Sequence, residues 1–194
     1  MKTLVITGGI GSGKTEACLY LESKGYPVYF SDVRAKALYS ENPAIVLDVE
    51  EAIGEKITCP DGTLDRGKLA GIVFSNPEKL KLLEDIIHPY IFEDFIRWRN
   101  DHFDVAPFLV MESAILLEKP IFRSLADKIV LIEASREIRV ARAMQRDSAT
   151  RESILNRMMA QHFDEDMVDA VIMNDSDLPS LYKKIDNILQ TIWN

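Results

Sequence analysis

Eight residues near the start of the chain, Gly8-Gly9-Ile10-Gly11-Ser12-Gly13-Lys14-Thr15, fit the pattern G-x-x-x-x-G-K-[ST] in full. Each residue type has a physical task in that pattern. Glycines tolerate positive φ and leave room for backbone to wrap an anion. The N–H groups of such a loop, with those of a helix opening behind it, point inward at phosphate oxygens. A lysine at position 14 reaches the β- and γ-phosphates of a nucleoside triphosphate, and the hydroxyl of Thr15 is suited to ligate Mg²⁺. Gly9, Ile10, Gly11, Ser12, Gly13, Lys14 and Thr15 are therefore the expected triphosphate-binding residues. Lys14 is also expected to be catalytic and Thr15 to be a metal ligand. The bland alternative is a glycine-rich turn followed by a chance Lys-Thr. The β-type run before the loop and the amphipathic run after it weigh against that alternative. The pattern specifies triphosphate binding and says nothing about the group that receives a phosphate.

Three further features favour phosphoryl transfer to a small molecule over hydrolysis or switching. Asp32 stands just past the second β-type run, where strand ends of an α/β sheet face the nucleotide crevice. A carboxylate there accepts or orients the proton of an acceptor hydroxyl, unless it serves only as a helix N-cap. Arg139, Arg142 and Arg146 recur at i, i+3 and i+7 within a stretch that also holds Arg136, Arg151 and Arg157. One face of arginines closes over phosphates and neutralises charge in the transition state; the alternative is a solvated charged helix. The guanine-reading tetrapeptide N-K-x-D is absent, and Asn174-Asp175 is a poor substitute for it. Glu112 ends the third β-type run and is open to two readings. It either helps hold Mg²⁺, directly or through water, or is a satisfied cap.

The elements that must position these groups alternate between β and helical patterns, which predicts an α/β fold with a parallel sheet. Strands are expected at 2–7, 26–30, 107–112, 128–132 and 168–173. Helices are expected at 13–24, closed near Gly25, and from Ser31 or Asp32 to about residue 40. Cys59-Pro60-Asp61-Gly62 is a turn signal, and Asp65 reads as the N-cap of a helix over 66–74. Ser75-Asn76-Pro77 opens another helix, which His88-Pro89 breaks or bends before it continues to Arg99. A helical stretch spans 136–163, and an amphipathic helix over 178–193 closes the chain.

The bulk numbers narrow the function classes. The chain has 194 residues, is 47% hydrophobic and 28% charged, and carries a net charge of -8. That suits one globular domain with an ample core. Its acidity disfavours nucleic acid as a partner. No apolar run approaches the roughly 18 residues of a membrane span. The opening Met1-Lys2 leads into a short apolar run that reads as a core strand, not a signal peptide, so a cytoplasmic location is expected. Cys18 and Cys59 form neither a metal pattern nor a disulfide framework. His102 and His162 have no partner pattern, and Met158 and Met159 read as packing residues.

Taken together, these segments resemble the dephospho-CoA kinase family over nearly the whole chain. Thr7 to Thr15 is similar to its T-G-G-I-G-S-G-K-[ST] opening, and Ser31-Asp32 to its acidic motif after the second strand. Leu64-Asp65-Arg66 with Val73-Phe74, the pair His88-Pro89, and Leu116-Leu117-Glu118 match further motifs. So do Arg142 with Arg146-Asp147, Arg157 with Gln161, and Asn174 after the last strand. Ala114 stands where the family usually has proline and Glu112 where it usually has aspartate; a lysine expected near Met167 is absent, and the chain looks shortened after Gln161.

The resemblance implies a P-loop NTPase fold: a three-layer α/β/α core with a five-stranded parallel sheet, a helical acceptor-binding region and a lid. The core would take about 1–55, 104–135 and 164–194, the acceptor region about 56–103 and the lid about 136–163. It implies transfer of the γ-phosphate of ATP to the ribose 3′-hydroxyl of dephospho-CoA, with Mg²⁺ as cofactor. Lys14, Asp32 and Arg142 are the expected catalytic residues. Arg139, Arg146 and Asn174 join the loop in binding ATP, and Asp32, Arg66, His88 and Glu112 bind the acceptor. His88 otherwise stabilises a helix bend. ATP and dephospho-CoA are the expected partners, with no nucleic acid or membrane, for a monomer or weak homo-oligomer. A nucleoside or nucleotide kinase, and a non-catalytic ATP-binding regulator, are the rival readings.

Overall fold

The computed structural model describes residues 1–114, 120–159, 161 and 167–193, with the side chains of 120 and 121 excepted. Its centre is a five-stranded, all-parallel sheet. In chain order the strands are β1 (Lys2–Thr7), β2 (Val28–Phe30), β3 (Phe108–Glu112), β4 (Lys128–Glu133) and β5 (Ala170–Met173). They lie side by side in the order β2-β3-β1-β4-β5. β1 is the middle strand, and every residue of it after Lys2 is buried. That burial explains the near-continuous apolar and β-branched run: a parallel strand covered on both faces has no solvent side to alternate with.

The described helices are α1 (Lys14–Ser23), α2 (Ser31–Glu41), α3 (Pro43–Ile53), α4 (Arg66–Phe74), α5 (Pro77–Asp101), α6 (Pro120–Arg123), α7 (Arg136–Asp147), α8 (Arg151–Met159) and α9 (Leu178–Thr191). The chain falls into two compact units. One comprises Met1–Phe30 and His102–Asn194, the other Ser31–Asp101.

In the first unit Leu4 and Ile6 of β1, Val110 of β3, Val130 and Ile132 of β4 and Ile172 of β5 form one apolar face of the sheet. Ala17, Cys18 and Leu21 of α1 and Leu181 and Ile185 of α9 pack on it. The opposite face, with Val5, Leu109, Met111, Ile129 and Leu131, is equally buried. A second, smaller core holds Val140 and Ala143 of α7 against Ile154 of α8.

The second unit is helical. Asp65 caps α4 by accepting from the Lys68 N–H at 2.9 Å, as its place before the apolar run predicts. The Cys59-Pro60-Asp61-Gly62 segment forms the expected turn, closed by Gly62 N–H to the Cys59 carbonyl and flanked by a Thr58–Leu64 bridge. α5 runs through Pro89 for 25 residues without a break, so the helix does not end at His88. Its buried face, with Ile87, Ile91 and Phe95, holds it in register on both sides of the proline. α3 is an element that the sequence patterns above do not anticipate. The stretch expected to be helical over 136–163 is two helices. Ser148 separates them in the left-handed region at φ 51°, which ends α7. Residues 160, 162 and 163 of that stretch lie outside the described residues.

Candidate active site

The phosphate loop joins β1 to α1 in the first unit, strand before and helix behind. Its curvature depends on two glycines in particular. Gly11 has φ 74° and lies against the backbone carbonyl of Arg139, which any Cβ would overlap. Gly13, the N-cap of α1, has φ 98° and would meet the Asn174 side-chain amide in the same way. A side chain at either position is thus excluded by backbone conformation and by contact together. Asn174 follows β5, and its amide Nδ2 donates to the Ser12 carbonyl at 2.8 Å, wholly buried. The asparagine after the last strand therefore holds the loop itself.

A cavity of about 390 Å³ opens above the loop. Gly9, Gly11, Gly13, Lys14 and Thr15 line one side of it, and Arg142 and Arg146 of α7 line another. The cavity gathers backbone N–H groups, an ammonium and two guanidinium groups at the N-terminus of a helix, where the helix dipole also favours negative charge. Its chemistry suits a polyphosphate.

The arginines are held differently. Arg139 donates from Nε to the Ile10 carbonyl at 2.9 Å and lies over Gly9. Burial lowers its pKa from the ordinary arginine value, opposed by the Glu133 carboxylate. Arg142 donates to the carbonyls of Asn174 at 3.0 Å and Ser176 at 3.4 Å. Arg146 pairs with Asp147 through Nε at 2.7 Å, and Arg157 of α8 pairs with the other oxygen of that carboxylate at 2.7 Å. The two guanidinium groups hold Asp147 well below the usual carboxylate range. Arg151 faces Glu137 and Arg136 is exposed, so these two belong to the solvated side of α7 and α8.

At the end of β3, Glu112 is buried and accepts a hydrogen bond from the Thr15 hydroxyl at 2.7 Å. Glu112 therefore lies beside the hydroxyl expected to ligate metal. Two hard oxygen donors side by side fit Mg²⁺, which takes one or two protein oxygens and completes its shell with phosphates and water. Cys18 lies buried behind the loop in α1. Desolvation and the nearby Glu112 carboxylate push its thiol pKa well up.

The remaining expected residues belong to the second unit. Asp32 is exposed in the first turn of α2, which starts at Ser31 directly after β2, so it lies within the helix and is not its cap. Arg66, the first residue of α4, donates to the Lys36 carbonyl of α2 at 2.8 Å. His88 is buried on α5. Leu116, Leu117, Glu118 and His162 lie outside the described residues.

Two groups with no reading from residue type alone emerge from the geometry. Gln161 accepts from the Ile10 N–H at 2.9 Å, and Asp147 organises two arginines. A neutral glutamine far along the chain carries no signal of such a contact beyond its place in R-x-x-x-Q.

Among the described residues no helix is long and apolar enough to cross a membrane. The family model described as dephospho-CoA kinase matches residues 3–180. A dephospho-CoA kinase of Bacteroides fragilis is 38% identical over 177 residues, covering 90% of this chain and 85% of that one. One from Porphyromonas gingivalis is 37% identical over 170 residues, covering 88% and 82%. The crystal structure of TT1252 from Thermus thermophilus superposes with a TM-score of 0.78 at 32% identity, covering 97% of this chain and 96% of that one. With a phosphate cradle intact from Gly8 to Thr15 and a family match that spans both units, this chain belongs to the dephospho-CoA kinase family.

Proposed function

We propose that this chain transfers the γ-phosphate of ATP to the ribose 3′-hydroxyl of dephospho-CoA, giving coenzyme A and ADP, the last step of coenzyme A biosynthesis. The observation that carries this reading is the cavity lined by Lys14, Arg142 and Arg146 together with the glycines of the loop, in a chain of this family. Phosphoryl transfer needs little covalent help from a protein, so positioning and charge are the main contributions available. Lys14 neutralises charge on the β- and γ-phosphates. Arg142 and Arg146 bind the triphosphate, and Arg142 stabilises the transferring group. Arg139 and Asn174 act on the loop that holds it. Asp32 takes the hydroxyl proton as the ribose oxygen bonds to the γ-phosphorus and the bond to the β–γ bridging oxygen breaks. Arg66, His88 and Glu112, with Asp32, bind the acceptor.

Mg²⁺, where bound, neutralises phosphate charge, and Thr15 is the residue to hold it. The Thr15–Glu112 hydrogen bond supports a share for Glu112 as well, since it places a second oxygen beside the first. We assign the acceptor to the helical region at about 56–103 and closure over ATP to about 136–163, with the core in the rest of the chain. We assign the chain to the cytoplasm as a monomer or weak homo-oligomer with no nucleic-acid or membrane partner; the net charge of -8 speaks against polyanionic partners.

Paired variants test the residue assignments. Lys14→Ala is expected to lower kcat by about 10² or more, in line with loss of transition-state electrostatics. Asp32→Asn is expected to lower kcat while the Kd for ATP stays within about twofold, because its proposed role is in the chemical step. Near-native turnover in Lys14→Ala refutes the reading, and a collapse of ATP affinity in Asp32→Asn makes Asp32 a structural or metal residue.

A further inference from the structure

The phosphate loop is gripped at one residue from three directions. The Ile10 N–H donates to Gln161 Oε1 at 2.9 Å. The Ile10 carbonyl accepts from Arg139 Nε at 2.9 Å. The Ile10 side chain packs against the small core of Val140, Ala143 and Ile154, together with Met144, Leu155 and Met158. That core belongs to α7 and α8, so a residue of the loop completes the packing of two helices more than a hundred residues further along the chain. Gln161 is itself tied to α8, since its N–H donates to the Met158 carbonyl at 3.2 Å. Gly11 lies against the Arg139 backbone, which leaves the loop no room to shift towards α7.

We infer that Gln161 is a positioning residue for ATP: by holding the Ile10 N–H it fixes the shape of the phosphate loop, coupling it to α7 and α8. This rests on the reading of the loop as a triphosphate site. A row of N–H donors binds an anion tightly only when its orientation is set before the anion arrives, because ordering backbone on binding costs conformational entropy. Ile10 stands at the bend of the loop, beyond the hydrogen-bonding reach of the sheet, and its amide has no helical partner. Gln161 satisfies that amide with a neutral oxygen. A carboxylate in its place would repel the phosphates, and an apolar side chain would leave the N–H to swing. The donors of Gly11, Gly13, Lys14 and Thr15 then carry the nucleotide, while the Ser12 N–H closes the loop on the Gly9 carbonyl at 3.1 Å and Ile10 anchors it.

Gln161→Met removes the acceptor at nearly constant volume and leaves the other two ties in place. The full-length variant and wild type are compared by amide hydrogen exchange of Ile10, by calorimetric Kd for ATP and for dephospho-CoA, and by Tm. Faster Ile10 exchange and a roughly tenfold weaker ATP Kd are expected, the usual scale for one hydrogen bond that organises a charged site. The Kd for dephospho-CoA, exchange within α7 and α8, and Tm should be unchanged. ATP affinity equal to or tighter than wild type overturns the inference, for it means the nucleotide itself claims the Ile10 N–H. Exchange and Tm that change throughout α7 and α8 also overturn it, leaving Gln161 a stabilising residue only. Failure of wild type to bind ATP is a separate result, which removes the triphosphate reading itself.

Discussion

Arg142 lines the cavity above the loop while its guanidinium donates to two backbone carbonyls beyond β5. Those bonds hold the planar fork, so a phosphate bound there would meet a side chain already ordered. Lysine carries the charge without the fork. Arg142→Lys is therefore expected to retain some activity and Arg142→Ala to lose about 10² or more of kcat, by analogy with other arginines that face a transferring phosphoryl group. Equal loss in the two variants in steady-state assays would mean that geometry, not charge, decides the effect. Cys18 gives a second expectation. Its thiol is buried and its pKa is raised, so the reactive thiolate is scarce. Iodoacetamide at neutral pH should label Cys59, which is half-buried, well before Cys18. Peptide mass mapping checks this, and early labelling of Cys18 would show that the α1 core opens.

At the scale of elements, local chemistry written in the sequence explains most of what forms, and its exceptions have causes. Asp65 before an apolar run is a cap signal, and the structure satisfies it with the Lys68 N–H. Asp65→Ala should cost about 1 kcal/mol of stability, the usual worth of an N-cap, measurable by urea denaturation; no change would mean that α4 is held by packing alone. α3 had signals of the same kind. Asn42 caps it with Pro43 at its first position, Gly54 ends it at φ 73°, and Ile45, Val46, Val49 and Ile53 form its buried face. Its run is rich in Val and Ile, whose β-branched residues blur helix with strand. The break between α7 and α8 was not legible, because nothing in the residue type of Ser148 announces a left-handed conformation. The loop was legible in full, since glycine, lysine and threonine at fixed spacing are demanded by local geometry. The Thr15–Glu112 and Ile10–Gln161 contacts were not, because both join residues about a hundred or more positions apart.

For the molecule as a whole, charge distribution sets how stability responds to acid. Two arginines on Asp147, the Lys24 ammonium and Tyr20 hydroxyl on Asp186, and the Ser180 hydroxyl and N–H at the Asp177 cap each hold a carboxylate below its usual range. In Asp169 burial pushes upward, but the bonds from Lys128 and the Ile129 N–H prevail, and it too is lowered. A depressed folded-state pKa stabilises the protein above the unfolded value and loses that contribution as pH falls through the folded one. Stability should therefore decline below about pH 4, near the unfolded carboxylate values. Urea titrations from pH 3 to pH 7 test this, and Asp169→Asn should flatten the slope; a slope of opposite sign would contradict it. The bounds of the two units depend on which helices pack together and not on any linker composition. ADP release from purified protein with ATP and Mg²⁺, offered dephospho-CoA, adenosine or AMP in parallel, tests the reaction itself. ADP is expected with dephospho-CoA alone, in step with coenzyme A. ADP formed only with adenosine or AMP, or tight ATP binding with no turnover on any acceptor, would contradict it.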